Sequence, residues 1–266
     1  MLLKYRLRSI SFLLLLPVTG IAVAQIVPKT KTVNYIKLSQ DFLYAAKTGD
    51  STKTYLDTLQ GADGSVLATQ LNADHKRMAF WLNIYNGFTQ VILKKDPDQY
   101  KTRSSFFSSK QIHIAGEQLS LDLIEHGLLR RSKVKWSEGY LDKLFTSEFE
   151  KKFRVHKLDY RIHFALNCGA KSCPPIAFYE PEQIDKQLNT AVKVYLKGEV
   201  TYDKDRNIVE VPALMGWFRH DFGGKKGILE ILIKNKIIPE ETKPTINFKE
   251  YDWSLYLNNY KSENNG

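Results

Sequence analysis

Cys168 and Cys173 are the two cysteines of the chain, and His163 stands five residues before the first of them. All three fall in the stretch Asp159-Tyr-Arg-Ile-His-Phe-Ala-Leu-Asn-Cys-Gly-Ala-Lys-Ser-Cys-Pro-Pro175. Three chemistries use such residues. A cysteine acts as a nucleophile when a histidine lowers its pKa and a third group orients that histidine. His126, His163, Glu125, Asn83 and Asn86 supply the residue types for those roles. Two cysteines can instead close a disulfide, here across four intervening residues, worth on the order of 2 kcal/mol. Cys168, Cys173, His163 and His126 could also ligate zinc, but His-x4-Cys-x4-Cys matches no standard ligand spacing, so neither a metal nor a cofactor is expected. Between thiol catalysis and a disulfide the residues leave the choice open.

The elements around these residues decide which atoms can meet. Ile162, Phe164 and Leu166 alternate with Arg161, His163, Ala165 and Asn167, which predicts a strand over residues 159–167. That parity sends Cys168 into the core, where a thiol is inert. It leaves Cys173, in the loop before Pro174-Pro175, as the better nucleophile. It also turns His163 away from Cys168, so the partner histidine would be His126, or His163 reached by the loop folding back. Asp74 to Lys94 is the strongest helical segment, apolar nearly all round and therefore buried, with Asp74 as its N-cap and Asp96-Pro97 as its stop. Asn83, Asn86 and Gln90 form one stripe on it, at i, i+3 and i+7. Buried amides need partners, so the stripe either satisfies loop backbone or lines a polar pocket. Ser120 caps a helix over Leu121–Arg130, on which Glu125 and His126 point about 100° apart.

The rest of the chain reads as helices near 35–48, 52–59, 180–195, 212–218 and 225–234. A short hairpin covers 111–119, a second joins 199–202 to 208–211, and a further strand covers 245–248. Residues 98–110 read as loop, and 132–158 have no clean period. The expected fold is α+β: a single, mostly helical domain over 35–260 with a small mixed or antiparallel sheet, an extended tail at 25–34 and a disordered one at 261–266.

The first eight residues carry three positive charges and no acid; the apolar run Ile10–Pro17 and Ala22-Val-Ala24 follow. This is the pattern of a secretory signal peptide over 1–24, with an apolar run too short to span a bilayer comfortably. An exported protein, periplasmic or secreted, with no stable membrane span after cleavage is the expectation. Export also gives a disulfide a permissive setting. Removing the leader takes the formal net charge from +10 to +7. The basic residues are scattered among acids, which excludes the arginine-rich arms and aromatic–basic alternation of nucleic-acid binders.

Phe80-Trp-Leu-Asn-Ile-Tyr-Asn86, Leu119-Ser-Leu-Asp-Leu-Ile-Glu-His126, Arg161 to Pro175 and Tyr251-Asp-Trp-Ser254 together resemble the motifs of the domain of unknown function 547 family, in order over roughly residues 70 to 255. The resemblance implies an α/β domain with no settled activity. It gives weight to Asn83, Asn86, Glu125, His126, His163 and Cys173, which fall in its motifs. On this reading the chain is a cysteine-dependent hydrolase or acyl transferase acting on a small-molecule or peptide substrate. Cys173 is the nucleophile, His126 the base, Glu125 or an asparagine the orienter, and the Asn83/Asn86 face is part of the cleft. The rival is a non-catalytic periplasmic binding or scaffold module stapled by a Cys168–Cys173 disulfide.

Overall fold

A long interior helix, α4, is the element on which the others pack. In a computed structural model, which describes residues 32–261, the chain runs α1 (Tyr35–Thr48), α2 (Lys53–Gln60), α3 (Gly64–Gln70), α4 (Asp74–Lys95), α5 (Arg103–Ser108), β1 (Ile112–Ile114), β2 (Glu117–Leu119), α6 (Glu148–Phe153), α7 (Ile184–Glu199), β3 (Thr201–Asp203), β4 (Ile208–Val211), α8 (Leu214–Trp217), α9 (Gly224–Lys234) and β5 (Thr245–Phe248). This is the α+β fold the pattern predicts, as a single domain. The signal peptide and most of the two predicted tails lie outside the described residues. Among the described residues no helix is long and apolar enough to cross a membrane.

α1 starts where the Asn34 side chain accepts the Lys37 amide and ends at left-handed Gly49. It lies along α4 at very close range. A Cβ at Gly87 would sit 2.4 Å from the Phe42 ring, so only glycine permits this approach. α4 is buried from Arg77 to Gln90 and anchors one apolar core with Phe42, Phe106, Leu128 and Phe153. A second core gathers Phe164, Val192, Leu196, Val209, Met215, Phe222 and Ile228 between α7, α9 and the sheet. β1 and β2 form a two-stranded antiparallel hairpin. β3 pairs antiparallel with β4, and β4 parallel with β5, so the larger sheet is mixed.

Several expectations change. Residues 159–167 are not a strand: Tyr160–Phe164 is a 3₁₀ helix. Asp159 caps it by accepting the Arg161 amide at 3.0 Å. Ile162, His163, Phe164, Ala165 and Asn167 are all buried, so the alternation marked no face. Residues 98–110 hold a 3₁₀ helix, Pro97–Thr102, and α5 rather than loop, and α6 lies in the segment without a clean period. Asp74 sits inside α4 instead of capping it; its carboxylate accepts the backbone N–H groups of His156 and Lys157. Ser120 does cap, accepting the Leu123 amide at 3.1 Å, but the helix then widens into a π-helix over Leu123–Leu129. The Arg130 amide reaches back five residues to the Glu125 carbonyl.

Candidate functional site

The π-helix, the 3₁₀ helix with its following loop, α8 and the C-terminal segment line a half-open cavity of about 250 Å³. Its apolar wall includes Phe107, Leu166, Leu214, Trp217, Phe218 and Trp253; its polar groups are Tyr85, Asp122, Glu125, His126, Lys135, His163, Cys168 and Tyr251. The wide π turn brings Asp122, Glu125 and His126 to one wall, a feature that recurs at functional sites.

The loop from Cys168 to Cys173 is clamped from three sides. Asn167 accepts the Gly169 amide at 3.0 Å and donates to the Pro174 carbonyl at 2.8 Å. The Tyr195 hydroxyl donates to the Ser172 carbonyl at 2.7 Å. The C-terminal segment runs alongside, with the Lys171 amide on the Ser254 carbonyl and the Tyr256 amide on the Gly169 carbonyl. Gly169 turns the chain with φ +89°, and a Cβ there would meet Leu93 at 2.8 Å.

Both thiols are free. Their sulfurs lie 2.8 Å apart, and the Tyr251 hydroxyl is 3.5 Å from Cys168 Sγ and 3.2 Å from Cys173 Sγ. The Cys168 amide donates to Cys173 Sγ at 3.0 Å. The pair is asymmetric, opposite to the sequence expectation. Cys173 is only 4 % exposed, and burial pushes its thiol well up. Cys168 lines the cavity. Hydrogen bonding from Cys173, joined by Tyr251 and the Ala170 amide, outweighs burial and lowers its thiol. The parity that sent Cys168 inward fails because the strand does not exist, so the cavity-facing thiol is Cys168 and not Cys173.

Behind the cavity lies a buried charged cluster. His163 Nε2 sits 2.9 Å from Asp221 Oδ2, and Arg130 Nε donates to the same oxygen at 2.7 Å. Burial alone would raise Asp221; the His163 and Arg130 contacts outweigh it and hold the carboxylate below its usual range. A carboxylate only accepts, so His163 carries its proton on Nε2 and presents a lone pair at Nδ1, which makes no hydrogen bond. Burial depresses His163 in spite of Asp221. Its ring stacks on Phe218 at 4.0 Å and 10°, and the Arg130 guanidinium lies 4.4 Å from the centroid of the same Phe218 ring. Arg130 Nη1 also donates to His126 Nδ1 at 2.9 Å. Arginine cannot accept, so His126 is protonated on Nε2, which faces Asp122 at 3.6 Å. With Nδ1 occupied by Arg130, the Nε2–H is the group that His126 presents. Glu125 accepts the Tyr85 hydroxyl at 3.2 Å.

The asparagines are elsewhere. Asn83 and Asn86 are fully buried and do not line the cavity. Asn83 bonds both backbone groups of Tyr179, and Asn86 the Ala165 carbonyl and Asn167 amide. They hold the loops that carry the site. Among the described residues no cluster of His, Cys, Asp and Glu is arranged to hold a metal ion, and neither thiol hydrogen-bonds a histidine. Sequence reasoning did not find Arg130, Asp221 or Phe218. Arg130 stands four residues after His126, a helical spacing that was a usable signal; Asp221 is 58 residues from His163 and gave none.

No curated protein and no solved structure matches the chain. Residues 68–196, which include Asn83, Asn86, Glu125, His126, His163, Cys168 and Cys173, match the family model described as Protein of unknown function, DUF547.

Proposed function

We propose that the chain is a thiol-dependent hydrolase or acyl transferase with Cys168 as its nucleophile. The observation that carries this reading is that Cys168, with a lowered thiol, and His163, oriented by Asp221, line one cavity. This is the nucleophile–base–orienter logic of acyl-transfer sites. The Cys168 thiolate attacks the acyl carbon and forms a thioester, and the leaving group departs with the proton that the thiol released. His163 Nδ1 takes the proton of the water or acceptor that resolves the thioester. The Nε2–H of His126, in the same lining, supplies a donor. The apolar lining favours a small acyl group or a single peptide side chain, and we place the enzyme outside the cytoplasm on the strength of its leader.

Incubating the reduced protein with a nitrophenyl ester and measuring intact mass tests the reading. The expected result is an acyl adduct on Cys168 that hydroxylamine removes. No adduct, or an adduct on Cys173 alone, overturns it. The 2.8 Å contact between the sulfurs favours a second reading, the non-catalytic binding or scaffold module with a Cys168–Cys173 disulfide. That module would form no acyl adduct.

A further inference from the structure

We infer that Cys168 and Cys173 are a redox-active dithiol that exchanges with small-molecule or peptide disulfides entering the cavity. The inference goes beyond acyl transfer: it uses the same attacking thiol but needs neither His163 nor an ester.

Exchange requires one accessible attacking thiol and a second thiol within reach to resolve the mixed disulfide. Cys168 borders the cavity and Cys173 is buried directly behind it, with the sulfurs 2.8 Å apart. A disulfide needs about 2.05 Å, so the sulfurs close with less than about 1 Å of movement. The loop is held by Asn167, Tyr195 and the C-terminal segment on both sides of the pair, so the two sulfurs meet without refolding. Tyr251 contacts both sulfurs and can donate to whichever one carries the negative charge. The opposed shifts of the two thiols fit this division of labour.

The steps balance. The Cys168 thiolate attacks one sulfur of R–S–S–R′, forming a Cys168–S–R bond and expelling R′S⁻, which takes up the proton Cys168 gave to solvent. Cys173 then attacks Cys168 Sγ, forming the intramolecular bond and breaking Cys168–S–R. The Cys173 proton leaves with RSH. The dithiol is oxidised and the substrate disulfide is reduced to two thiols.

The test uses the reduced full chain with oxidised glutathione, followed by acid quench, alkylation and mass mapping. Wild type is expected to lose both thiols, retain no glutathione and regain both thiols in excess reduced glutathione. Cys173→Ser should stop at a glutathione adduct on Cys168, and Cys168→Ser should form none. Two thiols that persist in wild type, equal adduct formation in the two variants, or a wild-type bond that reduced glutathione cannot reopen would each overturn the inference. Acyl labelling of Cys168 by the nitrophenyl ester is read in the reduced wild type without glutathione, where both thiols and their contact are intact. Either activity can therefore fail without the other.

Discussion

The amide stripe of α4 and the Arg130–Asp221–His163 cluster both put polar groups in the interior, and they are completed differently. Asn83 and Asn86 use both ends of their amides on loop backbone. In the cluster, Arg130 Nη2, Asp221 Oδ1 and His163 Nδ1 make no hydrogen bond. Complete pairing suits the stripe to a scaffold role, whereas the cluster holds His163, which lines the cavity, through Asp221. Gln90 is the mixed case on the stripe: its carbonyl accepts the Asn258 amide while Nε2 is unpaired.

Substitutions that affect chemistry without the fold, or the fold without chemistry, would sharpen this contrast. The largest effect belongs to Cys168→Ser, which should abolish ester-derived acylation while leaving far-UV dichroism unchanged. Next, His163→Gln removes the free lone pair but keeps the Arg130–Asp221 pair. It should slow thioester turnover by on the order of 10²–10⁴-fold, read as accumulation of the acyl adduct. On the stripe, Asn86→Ala leaves the Ala165 carbonyl and Asn167 amide unpaired, at about 1–3 kcal/mol each. Denaturant unfolding should show that loss, and the folded fraction should label as wild type does. If Asn86→Ala instead removed labelling at full stability, the division into scaffold and site would break.

The pH dependence follows from the same groups. The proposed base, His163, would act when neutral, and burial lowers its pKa from 6.5. Turnover should therefore hold through pH 6.5 and fall only as pH drops through the lower folded-state value. An acid limb above 6.5 would contradict a buried base. The smallest effect is that of Tyr251→Phe, which removes one of several donors to Cys168 and should shift its alkylation profile modestly upward in pH.

Much of the scaffold was legible because it depends on local pattern. The apolar run of α4, the break at Gly49, the hairpin at 112–119 and the strand at 245–248 follow from periodicity and turn residues. The 3₁₀ helix at 160–164 did not, because Ile162 and His163 are both buried and alternation has no meaning there. Within the site, Glu125, His126, His163 and Cys168 were named from sequence, but their roles depended on contacts invisible in it. Arg130 fixes the tautomer of His126, Asp221 that of His163, and Tyr251 touches both sulfurs from 78 residues beyond Cys173. The sequence preference for Cys173 rested on the parity of a strand, and that strand does not form.

The central claim is that Cys168 is the reactive thiol. The direct measurement is the rate of iodoacetamide alkylation of each cysteine in the reduced native protein across pH, resolved by peptide mass mapping. Cys168 should be modified first, with a midpoint below the ordinary thiol value of 9.0, and Cys173 only on unfolding. Modification of Cys173 first, or of Cys168 with a midpoint at or above 9.0, would contradict the account.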